Sequence, residues 1–431
     1  MNPELRRYAW LELGPHRLLL VPLVLGALAA MPLLTIADPA VPLAWGASGI
    51  FVVLTAGWGA LRALASVVDE VRDRTWDFQR MAASTPASLA AGKVFGAPLF
   101  QWYIGAWCLA VLAIAGAAAR LPGLGSLLVG LVAAAVLMHA LAVAISAAGA
   151  RTRMAERARR AIGLVLVLGL LQTLPLGLAL QRAEPDTFVR WWGWRLGLDA
   201  FAAASLVAFA AWALLAAWRA MLRELQEPAR PWPWPAFAAF AALWWAGLST
   251  PTLERASPGD ALAMASAVLA LGAYVAVLLE PLTRVALART VRAWRPQAAR
   301  WQHRVPAWCL HAALAVLVGA LARATGSETW PALAFAVACM ALRDAAIVGC
   351  FAVASSARSP VGRAVFYIVL ADLLVPAVAA VVGWTGLARL AFPLLGIASE
   401  PGPSAGGMAL HALAACAALA VCIGHARRPA P

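Results

Sequence analysis

A succession of apolar runs, each about 20 residues long, is the feature that most limits how this chain can fold. A run of about this length crosses the hydrocarbon core of a bilayer as an α-helix. Twelve such runs can be placed in the 431-residue sequence, at 18–36, 41–64, 94–119, 123–149, 161–181, 197–218, 236–252, 260–280, 307–323, 331–354, 364–386 and 408–424. With 63% hydrophobic and only 13% charged residues, the chain has more apolar side chains than a soluble core holds. The sequence predicts an all-α, polytopic helical membrane protein with about 12 transmembrane helices.

The basic residues are distributed unevenly among the loops between these runs. Arginine and lysine near the ends of spans stay on the cytoplasmic side of a membrane. With the N-terminus inside, 25 of the 34 basic residues fall in inside segments and seven in outside loops. This bias predicts that both termini are cytoplasmic. It also accounts for most of the net charge of +14 without any binding of nucleic acid.

Two non-spanning segments are long enough to form cytoplasmic elements, and a six-plus-six arrangement places one in each half of the chain. We therefore expect a first membrane half at 1–230 and a second at 231–431. The segment at 284–304 carries six arginines and no acid, with an apolar stripe that includes Trp294 and Trp301. This pattern is typical of a basic interfacial helix on anionic lipid, the alternative being a solvated loop that sets topology.

The other segment predicts an amphipathic helix at about 67–83, directly after the second span. Val67, Val71, Phe78 and Met81 fall within a narrow sector at helical spacing, and charged residues occupy the remaining surface. The helix would lie along the cytoplasmic surface of the membrane. Its candidate functional residues are Glu70, Arg72, Asp73, Thr75, Trp76, Asp77 and Arg80.

Trp76 is placed by the same periodicity on the polar face of this helix. Arg72 and Arg80 lie one turn away from it on either side. A large aromatic side chain in that position either binds a partner or anchors the helix among lipid headgroups. The sequence leaves these two interpretations open.

A Ser-Thr-Pro turn follows the amphipathic helix and leads into the third span. Thr85 can cap the next helix, and Pro86 fits its first position. Gly92 and Lys93 then mark the membrane interface, where Lys93 can extend toward lipid phosphates. Lys93 is the only lysine in the sequence and precedes Val94, whereas a nucleotide-binding P-loop needs Gly-Lys followed by Ser or Thr. The sequence therefore predicts a surface hinge rather than a phosphate-binding loop.

Arg343 and Asp344 in the tenth predicted span, and Asp372 in the eleventh, are charged residues at membrane depth. Such charges are costly unless they pair or face water. The two spans are consecutive and antiparallel, so that an ion pair between Arg343 and Asp372 is expected. The pair would either clamp two helices together or form a substrate or proton site.

The histidines and cysteines give no sign of a metal site. His139, His311 and His411 each stand alone within a span, which favours a buried, hydrogen-bonded role. No pair of histidines has the i,i+4 spacing of a metal site, and no cysteines form a CxxC pair. No nucleophile motif or acidic catalytic cluster is found either. We expect no metal site, no catalytic residue and no enzymatic activity of this chain on its own.

The segment at 67–103 resembles the permease subunits of ABC-2-type transporters. In that family an acid, a Gly-Thr-x-acid element, a proline and a Gly-Lys pair occur in this order between two spans. Arg74 stands here where the family usually has glycine. The matching residues are Glu70, Thr75, Asp77, Pro86, Gly92 and Lys93.

The resemblance implies the permease of an ABC-2-type exporter in the bacterial cytoplasmic (inner) membrane. A separate cytoplasmic ABC ATPase, acting as a dimer, would bind ATP and magnesium and dock on the amphipathic helix. This chain would either supply both halves of the pore or pair with a second permease chain. This chain would hold no cofactor of its own. The alternatives are a secondary transporter driven by an ion gradient through Arg343, Asp344 and Asp372, and a membrane scaffold without transport activity.

Overall fold

The structure is a computed structural model, and it describes residues 2–81, 85–149, 188–227, 232–249, 258–279, 306–325, 330–354, 360–387 and 405–427. Within these ranges the chain is helical apart from short turns and one β-hairpin. Ten of the described helices are long and apolar enough to cross a membrane. The chain is therefore an all-α, polytopic helical membrane protein, which confirms the predicted fold class.

The first of two compact units comprises Met1–Val189 and Leu196–Ala229. Two π-helical segments, in which each turn is wider than in an α-helix, interrupt its helices at Phe51–Trp58 and Gly92–Gly96. Its described α-helices are α1 (Pro3–Glu12), α2 (Pro15–Thr35), α3 (Ala40–Ile50), α4 (Gly59–Arg72), α5 (Trp76–Met81), α6 (Pro86–Ala91), α7 (Leu99–Ala118), α8 (Leu124–Gly149) and α9 (Leu198–Glu224).

The second unit comprises Arg190–Arg195 and Arg230–Pro431. It contains a third π-helical segment, Leu370–Leu374, and a short 3-10 turn, Gly247–Ser249. Its described α-helices are α10 (Pro233–Ala246), α11 (Pro258–Leu279), α12 (Ala307–Thr325), α13 (Trp330–Ala354), α14 (Pro360–Val369), α15 (Val375–Val381) and α16 (Ala405–Arg427). Several helices in both units begin at proline. An N–H in the first turn of a helix has no intrahelical acceptor, so that proline, which lacks this group, loses no hydrogen bond there.

A β-hairpin is formed by β1 (Phe188–Trp191) and β2 (Trp194–Gly197). Trp192 and Gly193 at its tip have φ angles of 50° and 83°. Positive φ at both positions is the mark of a type I′ turn, whose twist matches that of paired strands. The Trp192 backbone N–H also donates to the carbonyl oxygen of Gly247, at 3.1 Å. No strands were predicted in this segment.

Eleven of the twelve predicted spans coincide with described helices. The predicted span at 236–252 is shorter than expected, because α10 is 14 residues long and ends in the 3-10 turn. The predicted span at 161–181 and the basic segment at 284–304 lie outside the described residues. The predicted helix at 67–83 is divided into α4 and α5.

The second span runs as one 33-residue helix, Ala40–Arg72, through the π-helical segment. A widened turn releases backbone carbonyls from the regular ladder. The carbonyl oxygen of Thr55 lies 2.9 Å from Nε2 of His139 on α8. The Thr55 hydroxyl donates to the carbonyl oxygen of Gln101 on α7, at 3.0 Å. The π-helical turn therefore gives the second span polar contacts with both neighbouring helices.

Two of the three predicted buried histidines lie against glycines. A Cβ at Gly59 would stand 2.4 Å from Nε2 of His139, and one at Gly272 would stand 2.3 Å from Nδ1 of His311. Nδ1 of His311 also lies 3.3 Å from the carbonyl oxygen of Leu269. Both side chains are buried, so that the predicted hydrogen-bonded role is confirmed for these two residues.

Helix α1 packs closely over the π-helical segment that leads into α7. A Cβ at Gly92 would stand 2.3 Å from the Cβ of Glu4, and one at Gly96 would stand 2.8 Å from Cδ2 of Tyr8. The side-chain amide of Asn2, which caps α1, donates to the carbonyl oxygen of Ser88 at 2.7 Å. The two glycines therefore provide the space that lets α1 lie against the predicted hinge.

We expect Gly92→Ala to displace α1, because the added methyl group overlaps the Glu4 side chain. Overpacking of this kind typically costs about 1–3 kcal/mol. Thermal unfolding of the purified protein, followed by tryptophan fluorescence, should show a lower Tm for this variant. Gly26→Ala in α2 is the matched control, since a Cβ there has nothing within 4 Å. Equal Tm values for the two variants would show that α1 does not depend on this contact.

Candidate functional site

Helix α4 ends in a tight turn that a left-handed residue closes. Arg74 has a φ angle of 59°, a conformation that glycine adopts at the lowest cost. The Thr75 N–H donates to the carbonyl oxygen of Glu70 at 2.9 Å, and the Arg74 N–H donates to that of Val71 at 3.3 Å. These are the two hydrogen bonds of a Schellman C-cap. The backbone at Arg74 therefore has the conformation that suits the glycine of the ABC-2 pattern.

The apolar stripe predicted for 67–83 does not continue past this turn, because the left-handed residue changes the helical phase. Val67 is buried, but Phe78 and Met81 are 73% and 75% exposed. Trp76, predicted on the polar face, is only 5% exposed. The single amphipathic helix was thus a wrong prediction, and α5 presents the opposite face from the one expected.

Trp76 contributes to the packing of the first unit. Its indole N–H donates to Oε2 of Glu224, the last residue of α9, at 3.1 Å. Nε of Arg80 donates to the carbonyl oxygen of Glu224, at 2.8 Å. Both interpretations of Trp76, partner binding and headgroup anchoring, are wrong because the side chain is enclosed by its own chain. The two contacts hold α5 against the end of α9.

Lys93 is fully buried. Its ammonium group pairs with Oε2 of Glu70 and also lies 3.1 Å from the Tyr8 hydroxyl and 3.2 Å from the carbonyl oxygen of Ser66. The expectation that Lys93 extends toward lipid phosphates is therefore wrong: a carboxylate within reach and the cover provided by α1 keep it inside. Burial lowers the pKa of Lys93 from its ordinary value, and the charge of Glu70 opposes that effect.

Glu70 is the centre of this cluster, which we call the Glu70 hub. Besides Lys93, its carboxylate accepts hydrogen bonds from Nη2 of Arg7 and from Nε2 of Gln79, both at 2.6 Å. Burial, followed by the charge of Glu70, raises the pKa of Tyr8, so that the phenol stays protonated. One carboxylate thus connects α1, α4, α5 and the segment leading into α7.

The predicted hinge is present at the start of α6. Oγ1 of Thr85 accepts a hydrogen bond from the N–H of Ser88 at 3.2 Å, and Pro86 is the first helical residue, which confirms the predicted cap. Asn2 joins the same turn, since its Oδ1 accepts from the Ser88 hydroxyl at 2.8 Å. Gly92 follows directly and carries the close contact with α1.

The remaining predicted residues of the docking element lie on the surface. Arg72, Asp73 and Thr75 are exposed at the turn. Asp77 is exposed and lies 3.4 Å from Nη1 of Arg80, one turn away. The structure brings together Glu70, Trp76, Arg80 and Lys93 through direct or shared contacts, and it leaves the other predicted residues facing outward.

The sequence reasoning missed the residues that α1 and α9 contribute, namely Arg7, Tyr8 and Glu224. The signal for α1 was available, because Asn2 followed by Pro3 is a typical helix start. No spacing could have placed Glu224 beside Trp76, since 148 positions separate them. Glu12 at the end of α1, whose carboxylate pairs with Arg17 and Arg62, was missed as well.

A second polar cluster lies in the second unit, within the spans. Nη2 of Arg343 lies 2.5 Å from Oδ1 of Asp344 and 2.6 Å from Oδ2 of Asp372. The expected ion pair between Arg343 and Asp372 is therefore observed. Nη1 of Arg343 also lies 2.8 Å from Nδ1 of His411, which is buried, so that the predicted hydrogen-bonded role is confirmed for this histidine too. The Tyr274 hydroxyl donates to Oδ2 of Asp344, at 2.6 Å.

No protein-family model, no curated protein and no solved structure matches this chain. Among the described residues, no group of three or more histidine, cysteine or acidic side chains could hold a metal ion. The fold and the two clusters define a multi-pass helical membrane protein with a polar hub at the end of one span and a charge cluster inside others.

We expect Arg74→Gly to retain the turn and to stabilise the protein by up to about 1 kcal/mol, because glycine enters the left-handed conformation without steric cost. Arg74→Val should destabilise it, since a β-branched residue resists positive φ. The free energy of unfolding of both variants, compared with wild type, tests this. A loss of stability in the glycine variant would contradict the assigned conformation.

Lys93→Met should cost about 3 kcal/mol in the free energy of unfolding, because it leaves Glu70 without its buried partner. The double variant Glu70→Gln plus Lys93→Met should cost at least 1 kcal/mol less than the sum of the two single changes. Asp77→Asn is the control, because that exposed pair with Arg80 should be worth less than about 1 kcal/mol. Strict additivity at positions 70 and 93 would show that the two side chains do not interact.

Proposed function

We propose that this chain is the membrane-spanning permease subunit of an ABC-2-type exporter, which couples ATP hydrolysis on a separate ATPase chain to movement of a substrate. The observation that carries the proposal is the Glu70 hub. In this hub Glu70 pairs with Lys93, and both residues belong to the ABC-2 pattern. The pair connects the end of the second span to the segment that precedes α7.

The surface of α5 supports the proposal because it offers a partner both apolar and charged groups. Phe78 and Met81 are strongly exposed on a short helix that also presents Asp77. Exposed apolar side chains rimmed by charges are typical of protein interaction sites. The charges would set the register of the partner more than its affinity.

The contacts behind α5 give a path by which a partner could move the spans. Glu70 joins the end of α4 to Lys93, which precedes α7, and to Gln79 on α5. Trp76 joins α5 to Glu224 at the end of α9. A displacement of α5 by a closing ATPase dimer would thus reach three spans through buried polar contacts, as expected of a rigid-body switch.

The remaining parts of the proposal follow from the resemblance and the charge bias. ATP and magnesium would bind to the partner ATPase, since this sequence has no P-loop. The docking surface would face the cytoplasm, with the chain in the bacterial cytoplasmic membrane. A second permease chain would complete the pore where one chain does not supply both halves.

A second candidate function is a secondary transporter driven by an ion gradient. The cluster of Arg343, Asp344 and Asp372 favours it, because charges at membrane depth commonly mark ion pathways. In that case the charges of the second unit, and not the surface of α5, would be essential for transport.

The proposal predicts that an ATPase with its own P-loop copurifies with the tagged protein from its native membrane. Asp77→Arg combined with Phe78→Asp should reduce this recovery at least tenfold, because it reverses one charge and places another on the apolar surface. Trp192→Asp is the control, since it changes an exposed aromatic residue predicted to lie on the other side of the membrane. Quantitative mass spectrometry of the three preparations provides the measurement.

The captured ATPase should then bind the purified wild-type chain and lose binding to the double variant. Equal binding by both would exclude α5 as the docking site. Absence of any ATPase from the wild-type preparation, together with flux into liposomes that requires Asp372 but not Phe78, would favour the second candidate.

A further inference from the structure

The formal charges of the cluster around Arg343 in the second unit do not sum to zero. Of its five described side chains, only Arg343 is a permanent cation, whereas Asp344 and Asp372 can each carry a negative charge. With both carboxylates ionised, one negative charge of the cluster remains without a counter-charge among the described residues of these largely apolar spans. Such a charge is costly at membrane depth.

His411 does not supply the missing positive charge. Arginine has donors only, so the contact of Nη1 of Arg343 with Nδ1 of His411, at 2.8 Å, requires that Nδ1 accept the hydrogen bond. The imidazole then carries its proton on Nε2 and is neutral. Tyr274 is neutral as well, because its hydroxyl donates to Asp344.

The two carboxylates are held very differently. Asp344 receives three hydrogen bonds, from Nε and Nη2 of Arg343 to Oδ1 and from the Tyr274 hydroxyl to Oδ2. This number of donors stabilises the ionised form of a carboxylate. Asp372 receives one hydrogen bond, from Nη2 of Arg343 to Oδ2, and its Oδ1 accepts none from the described part of the chain. Protonation of Asp372 therefore disrupts fewer hydrogen bonds than protonation of Asp344 would.

The position of Asp372 supports the same assignment. It lies in the π-helical segment Leu370–Leu374, and such segments occur frequently at functional sites. Its side chain is 12% exposed, against 5% for that of Asp344, so that Asp372 is the more accessible of the two to a proton. The described residues offer no set of three donors for a metal ion. A proton is the ligand that one partly exposed carboxylate can bind by itself.

We propose that Asp372 takes up and releases a proton within the membrane. In the ionised state, Asp372 holds its helix to Arg343 on α13. Protonation of one carboxylate oxygen neutralises Asp372, so that Arg343 interacts mainly with Asp344 and the Leu370–Leu374 segment loses its electrostatic attachment. The proton balances the cluster, and its release restores the ion pair.

In the part of the chain that the structure describes, the titratable and charged groups near Asp372 are Arg343 and Asp344 from α13 and Tyr274 from α11, and His411 from α16 joins them through Arg343. The inference deepens the second candidate function, because it names the ion and the group. It does not depend on that candidate, since a proton site can equally serve a transporter driven by ATP.

Dicyclohexylcarbodiimide provides the test, because this apolar reagent adds covalently to protonated carboxyl groups in apolar surroundings. Full-length protein in lipid nanodiscs is treated over a range of pH, and the modified peptide is identified by mass spectrometry. We expect the label on Asp372 and not on Asp344, with a yield that falls at least tenfold as the pH rises and the proton leaves. Label on Asp344 in place of Asp372, or a yield on Asp372 independent of pH, would overturn the proposal.

Infrared difference spectroscopy tests the same site without depending on access of a reagent. Lowering the pH should produce the C=O stretching band of a protonated carboxyl group in the wild-type protein. Asp372→Asn should remove that band, whereas Asp38→Asn, a matched change at an exposed residue, should retain it. If Asp372→Asn retains the band, the proton is elsewhere and the proposal fails. Neither measurement involves an ATPase, so this result stands apart from that of the docking experiment.

Discussion

A polar group in the interior of a membrane protein must find its partner within the protein, because lipid offers none. In the first unit, this constraint shapes even the backbone. Within the π-helical turn of the second span, the carbonyl oxygen of Thr55 lies 2.9 Å from Nε2 of His139 on α8. The close approach requires Gly59, since any larger residue would overlap the imidazole. A buried imidazole thus obtains its partner from the backbone of a neighbouring helix, and a glycine makes that approach possible.

The same constraint explains the two charge clusters, although they differ in what they can do. Lys93 is paired with Glu70 near the end of a span, where α1 covers both and Arg7 adds a second cation. Glu4 lies 3.1 Å from Arg7 and offsets its charge, so that this arrangement is balanced and suits a rigid connection between helices. Arg343 faces two carboxylates, and only one of them is well supplied with donors. That imbalance suits a site whose charge changes.

The periodicity of the sequence predicted α4 and failed at α5, and Arg74 is the reason. Helical phase was extrapolated through a residue whose φ is positive, so that the faces of Trp76 and Phe78 were exchanged. Glycine at position 74 would have predicted the end of a helix, whereas arginine is common within helices and gives no such indication. The capped hinge at Thr85 and Pro86 was predicted correctly, because a cap depends only on residues within one turn.

The sequence by itself determined the all-α membrane fold and most of the span positions. Apolar runs of bilayer length permit little else, and antiparallel neighbours such as the helices of Arg343 and Asp372 meet by connectivity alone. Only the tertiary structure decided that Glu224 binds Trp76, that His411 joins Arg343, and that Lys93 turns inward to Glu70. These contacts join residues far apart in sequence, and their formation depends on the close approach of helices that no local pattern encodes.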